Sequence, residues 1–260
     1  MRLPICCVAI AKNEAKCLPA LAESIRGLCD QLVIVDTGST DGTPEVAESL
    51  GAIVHRIAWP DSFAEARNQA IALAPPADWY FMPDCDMQLQ GDVAGLRRMC
   101  LQAPSGLHSV WIKTVIPFPS SSIWRKYQRL ILRPGLWRMG AAKWAYRVHE
   151  QLIPTAPSTL EGIRAVGAYD LWQGGYLWHP DEPASDADHD ARLRMATAEL
   201  TDNPANTQSR EIYEQVVRER ERYLISSGQT GPKVLPQQFI PLPSREQSET
   251  AIEARCDKLE

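Results

Sequence analysis

The first ninety residues alternate between two hydrophobic periods, and that alternation restricts the fold more than any other feature of the chain. PICCVAIA (4–11), QLVIVD (31–36), AIVHRIAW (52–59) and DWYFMPD (78–84) are short apolar runs with β-prone composition. Between them lie helical patterns: EAKCLPALAESIRGLC (14–29), with Leu18, Leu21, Ile25 and Leu28 on one face, then PEVAESLG (44–51) and SFAEARNQAIALA (62–74). Pro44 suits a first helical turn, Gly51 a helix end, and Ser62 a helix start. Strands alternating with helices predict a βαβ series around a parallel sheet. In such sheets ligands collect at the carboxyl ends of the strands. Asp36 and the pair Asp84/Asp86 both fall at such ends, which marks the acidic residues as a site.

Beyond residue 91 the pattern loosens. Strands of a mixed sheet edge are expected in SVWIKTVIPF (109–118), YQRLILRPGLWRMG (127–140), WAYRVHEQLI (144–153) and AYDLWQGGYLWHP (168–180). Two helices with charged outer faces follow, over 186–204 and 206–228, and would suit the start of a helical-hairpin array. From 229 to 260 the chain is rich in Pro, Gln, Ser and charge without periodicity, and a poorly ordered tail is expected.

Charge and composition remove several classes of function. The net charge is −5 with no long basic block, so a nucleic-acid partner has no electrostatic footprint. No apolar run approaches the ~20 residues of a transmembrane helix. The apolar run near the start is broken by Lys12, Asn13 and Glu14 and reads as a first strand, not a signal peptide. Seven cysteines without C-x-x-C spacing suggest reduced thiols in a cytoplasmic protein and no zinc site built from cysteine alone.

The segment DWYFMPDCDMQL (78–89) poses a physical problem. Two like charges, Asp84 and Asp86, are crowded beside a low-dielectric core, which is unfavourable unless something positive sits there. Four stretches in this order, AIAKNEAKCLPALAESI, IVDTGSTDGT, FAEARNQAI and DWYFMPDCDMQL, resemble the family-2 glycosyltransferases with a GT-A fold. YRVHEQL (146–152) and YLWHP (176–180) resemble the bacterial branch with a VHE segment and a helical C-terminal extension. The resemblance covers residues 1–180 as a GT-A domain, an α/β fold with a Rossmann-like mixed central sheet, and extends loosely to a helical extension at 181–228. One departure is Asp-Cys-Asp-Met where the family commonly reads Asp-Ala-Asp-Glu, so the trailing acid is missing.

The resemblance implies transfer of a hexosyl group from a nucleoside-diphosphate sugar, with uridine the favoured base, aided by Mn²⁺ or Mg²⁺. It implies that Asp86 ligates the cation, that Asp84 reaches the ribose and the cation's water shell, and that His179 supplies a further ligand. An imidazole among the ligands favours manganese over magnesium. Asp36 is placed to accept the uracil N3–H; Asn13 and Glu14 line the base and ribose pocket; Arg67 and Asn68 touch base or phosphate; Asp41 orients its loop or caps the next helix. In the VHE segment, strand alternation would send His149 and Glu150 to opposite faces. The resemblance favours Glu150 as the general base of an inverting transfer, with His149 steadying the loop. The acceptor, whether glycan, lipid-linked intermediate, peptide or small molecule, is not encoded legibly.

Each residue also has a plainer reading. The acidic pair could be a solvated turn, DTGSTDGT a turn-rich loop with a helix cap, and His179 a packed histidine. Arg67 could pair with Glu65 or Asp61, and Glu150 with Arg147 or Arg133. His55 and His108 read as structural, and the tryptophans at 111, 124, 137, 144, 172 and 178 as core rather than sugar platform. Two other functions fit parts of the pattern. A nucleotide-binding or interaction module without turnover fits the missing acid. An aspartate-nucleophile phosphohydrolase also uses Asp-x-Asp, but on its first strand and with Thr where Gln88 stands.

Overall fold

The computed structural model describes residues 5–105, 107–117, 128–155, 168–171, 173–179 and 185–226. The tail expected at 229–260, together with Trp124 and Trp172, lies outside the described residues. The chain divides into two compact units, Met1–Val216 and Val217–Glu260. The second is described only over residues 217–226, which are helical.

Strands β1 (Ile5–Ala11), β2 (Gln31–Asp36), β3 (Ile53–Arg56) and β4 (Trp79–Phe81) pair in parallel, β2 and β4 flanking β1 and β3 lying outside β2. Beyond β4 the sheet turns mixed. β7 (Gln128–Arg138) is antiparallel to β4 and to β6 (Leu107–Pro117), β11 (Gly175–Trp178) is parallel to β6, and β5 (Gln88–Gly91) is antiparallel to β11. The order is β3-β2-β1-β4-β7-β6-β11-β5, with β10 (Ala168–Leu171) also on β6. β8 (Ala142–Ala145) and β9 (Gln151–Pro154) form a separate two-stranded pair.

Both faces of β1 are buried, which is why its sequence is continuously apolar. Ile5, Cys7 and Ala9 pack with Leu18 and Leu21 of α1 (Leu18–Ser24), Ala47 of α2 (Thr43–Ser49) and Leu96 and Cys100 of α4 (Val93–Gln102). Cys6 and Val8 face the other way, toward Ala70 of α3 (Phe63–Leu73), Tyr80 and Trp137. α1 is shorter than its apolar spacing predicts, yet Leu18, Leu21, Ile25 and Leu28 are all buried, because the turns after Ser24 keep the last two on the same side. α4 and β5 were not expected from the sequence. Asp92 caps α4 by accepting the Gly95 N–H at 2.8 Å, and Leu96 and Cys100 anchor it.

The strand expected through WAYRVHEQLI is broken. β8 ends at Ala145, and Tyr146 (φ 72°) and His149 (φ 49°) adopt left-handed backbone that ends the pleat. Strand alternation therefore does not decide between His149 and Glu150. This turn lies against α5 (Asp186–Asp202) and the start of α6 (Thr207–Ser226): Val148 packs with Met195, Ala196, Ile212 and Val216. Buried Glu199 of α5 accepts the Arg147 N–H at 3.2 Å and the Ser209 hydroxyl at 3.1 Å.

Candidate active site

The loops after β1 and β2 are locked together. Asn13 donates its N–H to Ser39 Oγ and accepts the Thr40 N–H on Oδ1, each at 2.8 Å. The Thr43 hydroxyl accepts the Glu14 N–H at 2.8 Å and donates to Asp41, which also accepts the Ala15 N–H. That Thr43 hydroxyl is the main reason the Asp41 carboxyl sits below its ordinary range. The Ser, Thr and Asp residues of DTGSTDGT therefore do local structural work. Asn13 joins the two loops through its backbone N–H and its Oδ1, and Asp41 orients the second loop. Asp36 is buried, and its carboxylate accepts the Gly38 and Ser39 N–H groups at 3.2 Å. With Gly38, Ser39, Thr40, Gly42, Glu45 and Arg56 it lines a cavity of about 420 Å³.

The acidic pair sits in a turn just past β4, not on the strand itself. Cys85 is the anchor between the two carboxylates: it is 2% exposed and its thiol donates to Ile10 O at 3.4 Å. Burial pushes this thiol well above its ordinary value, and the nearby carboxylates of Glu14, Asp84 and Asp86 add to the shift. It is a core side chain, not a nucleophile. Met87, which replaces the usual acid, is also buried in the core.

His179 reaches the pair through strand register. Trp178 pairs antiparallel with Gln88, so the next residue along β11 falls opposite Met87 and beside Asp86. Gly91 (φ 117°) makes this pairing possible, since a Cβ there would lie 2.3 Å from Gly174 O. His179 Nε2 stands 3.9 Å from Asp86 Oδ2, and one ligand atom each from Asp84, Asp86 and His179 lies within 4.8 Å of the others. Two carboxylates and one imidazole at this spacing fit a divalent cation.

Arg67 supplies the positive charge that the crowded carboxylates need. Arg67 Nη2 donates to Asp84 Oδ1, and Nε donates to Glu150 Oε1 at 2.8 Å. The Arg67 side chain is 6% exposed, and its guanidinium carbon lies over Trp144, 4.9 Å from the ring centroid. Burial alone would lower its pKa, but the two carboxylates outweigh that and raise it, so the charge is permanent. Its Nη1 and the Trp144 Nε1 are both buried with no hydrogen-bond partner among the described residues. Arg67 thus pairs with neither Glu65 nor Asp61, and Glu150 takes Arg67 as partner. Asn68, expected near base or phosphate, instead holds the backbone of Trp144, donating to its carbonyl and accepting its N–H, both at 3.0 Å.

The structure thus brings Asp84, Asp86 and His179 together, links Asp84 to Glu150 through Arg67, and places Asp36 in a separate cavity at the end of β2. The model of glycosyl transferase family 2 matches residues 6–149, more than half of the chain.

The chain belongs to that family.

Its parallel strands β1–β4, with the acidic turn after β4 and mixed strands beyond, are the GT-A arrangement expected. A TPR repeat-containing protein of Synechococcus elongatus is 42% identical over 80 residues, covering 31% of this chain and 20% of that one. An uncharacterized glycosyltransferase of Rickettsia bellii is 34% identical over 89 residues, covering 32% and 28%. The chain thus spans less than a third of the length of these curated relatives. Among solved structures, S. aureus TarS 1–349 in complex with UDP superposes with TM-score 0.46 at 14% identity, over 88% of this chain and 74% of that one. Glucosyl-3-phosphoglycerate synthase from Mycobacterium tuberculosis, in complex with Mn²⁺, UDP and glucosyl-3-phosphoglycerate, gives 0.47 at 17% identity, over 76% and 79%. No helix among the described residues is long and apolar enough to cross a membrane.

Proposed function

We propose that this family-2 member transfers a hexosyl group from a uridine-diphosphate sugar to a nucleophilic acceptor, with inversion and with a divalent cation, preferably Mn²⁺. The observation that carries the reading is the convergence of Asp84, Asp86 and His179 just past the carboxyl end of β4. Asp84, Asp86 and His179 would hold the cation, which when bound supplies Lewis-acid neutralisation of the diphosphate leaving group. The Asp36 cavity would take the base, with a carboxylate oxygen accepting N3–H beside the Gly38 and Ser39 amides it already binds. Glu150 would accept the acceptor's proton as the new glycosidic bond forms on the face opposite the departing diphosphate. One of its oxygens is held by Arg67 Nε, which fixes the carboxylate's orientation. The unpartnered Arg67 Nη1 and Trp144 Nε1 add two buried donors suited to oxygen-rich substrate groups.

The missing acid does not count against turnover, because Met87 is directed into the core rather than the site. A module without turnover would bind UDP yet leave UDP-sugars intact. Thermal shifts with UDP, GDP, CDP and dTDP sugars, with and without Mn²⁺, test the donor, followed by nucleotide release from the best binder. Stabilisation by UDP-sugars that requires Mn²⁺, followed by slow release of UDP, is expected. Equal response to all four nucleotides would contradict the assigned base, and binding without release would favour the non-catalytic module.

A further inference from the structure

The edge of the Arg67 guanidinium that carries Nε and Nη2 ordinarily grips one carboxylate with two parallel hydrogen bonds. Here that edge is divided. Nη2 goes to Asp84, 17 residues along the chain, and Nε to Glu150, 83 residues along. Other arginine pairs, such as Arg26–Glu23 and Arg56–Glu45, have both side chains in solvent, whereas the Arg67 side chain is buried. We propose that Arg67 is a positioning residue that couples the donor half of the site to the acceptor half, so that nucleotide binding at Asp84 and placement of the 146–150 segment are one event. The inference rests on the function proposed above.

The segment it holds has its own reason to need holding. Tyr146 and His149 both carry positive φ, a conformation that non-glycine residues keep only when their surroundings impose it. α3 imposes it at three points along one helix face. The Phe63 N–H donates to Arg147 O at 2.8 Å, Arg67 holds Glu150, and Asn68 holds both backbone groups of Trp144. Two of these contacts are indifferent to the donor site. Of the three, Arg67 is the one that also reaches Asp84, and its guanidinium carbon lies over the Trp144 ring, 4.9 Å from the centroid. A shift of Asp84 on nucleotide binding must therefore move, or tighten, the Glu150 carboxylate. Lysine keeps the charge but offers a single ammonium in place of the planar edge, so it cannot hold two carboxylates in fixed relation.

Hydrogen exchange of the full chain, with and without UDP and Mn²⁺, tests this through peptides covering 38–43, 84–87 and 146–151. In the wild type all three should exchange more slowly with ligand, the last by roughly five-fold or more, the lower end of ordinary coupling between sites. In Arg67→Lys the slowing should persist at 38–43 and 84–87 and vanish at 146–151. A merely structural arginine would change exchange equally with and without ligand. If Arg67→Lys does not fold, Glu150→Gln preserves shape, removes the charge Arg67 grips, and should lose most of the slowing at 146–151. Full slowing of 146–151 in the variant, or wild-type slowing confined to the first two segments, would overturn the coupling. No slowing anywhere in the wild type would remove the proposed function and this inference with it.

Discussion

Asn68 grips Trp144 by both ends of its backbone, accepting its N–H and donating to its carbonyl, as a neighbouring strand would. This is how a helix comes to serve as the edge partner of β8. Asn68→Ala would leave both backbone groups without their partner, at a cost of about 1–3 kcal/mol for each group left buried and unpaired. Thermal unfolding should show a clear loss of stability. Asn68→Asp, which keeps the acceptor and lacks the donor, should fall between wild type and Ala.

Gly91 offers a test of register. Gly91→Ala sets a Cβ against Gly174 O in a backbone region that side chains avoid. Since β5–β11 pairing brings His179 to Asp86, Mn²⁺ affinity should fall even though Gly91 is not a ligand. The variant should also lose on the order of 1–3 kcal/mol of stability. Calorimetric titration with Mn²⁺ and UDP, set beside thermal unfolding, checks both effects.

The difference between what could be read in the sequence and what could not follows from distance along the chain. The βαβ series and the Ser62 cap depend on neighbours within a few residues, and both are as expected. The partner of Glu150 was missed because Arg67 lies 83 residues away, and no local pattern favours it over Arg147. The break in WAYRVHEQLI was missed because Tyr146 and His149 take left-handed backbone without a glycine to announce it. α4 did have a local signal, Asp92 followed by Val93, Leu96 and Cys100, hidden by the arginines at 97 and 98.

Acid should loosen the join between β1 and α4. Burial raises the Asp30 carboxyl, but hydrogen bonds from Arg97 and the Ile5 N–H, and the charge of Arg97, outweigh it, so it titrates below its ordinary value. A depressed folded pKa means stability that is present above the unfolded value of about 3.9 and is lost as pH falls through the folded one. The pair is partly exposed, so the effect is at most about 1 kcal/mol. Asp30→Asn should be less stable than wild type at pH 7, and the gap should close below pH 4 in urea unfolding curves.

Thiol labelling checks the core. Burial pushes Cys6 and Cys100 up to about 12, and Cys7 and Cys85 also well upward. In the native protein at pH 8, peptide mapping should find maleimide on Cys17 and Cys29, which are partly exposed, before any of these four. All should label together once the chain is unfolded.

If Asp84, Asp86 and His179 form the proposed cation-dependent nucleotide-diphosphate site, UDP binding should depend on the cation and on Asp86. Calorimetric titration of UDP into wild type and Asp86→Ala, with Mn²⁺ and with EDTA, tests it most directly. Asp86→Ala should fold normally, since Asp86 belongs to none of the buried clusters that build the core. Mn²⁺-dependent binding of UDP to the wild type, and its loss in Asp86→Ala, are expected. UDP binding of equal strength in both proteins, or binding unaffected by EDTA, would contradict the proposed site.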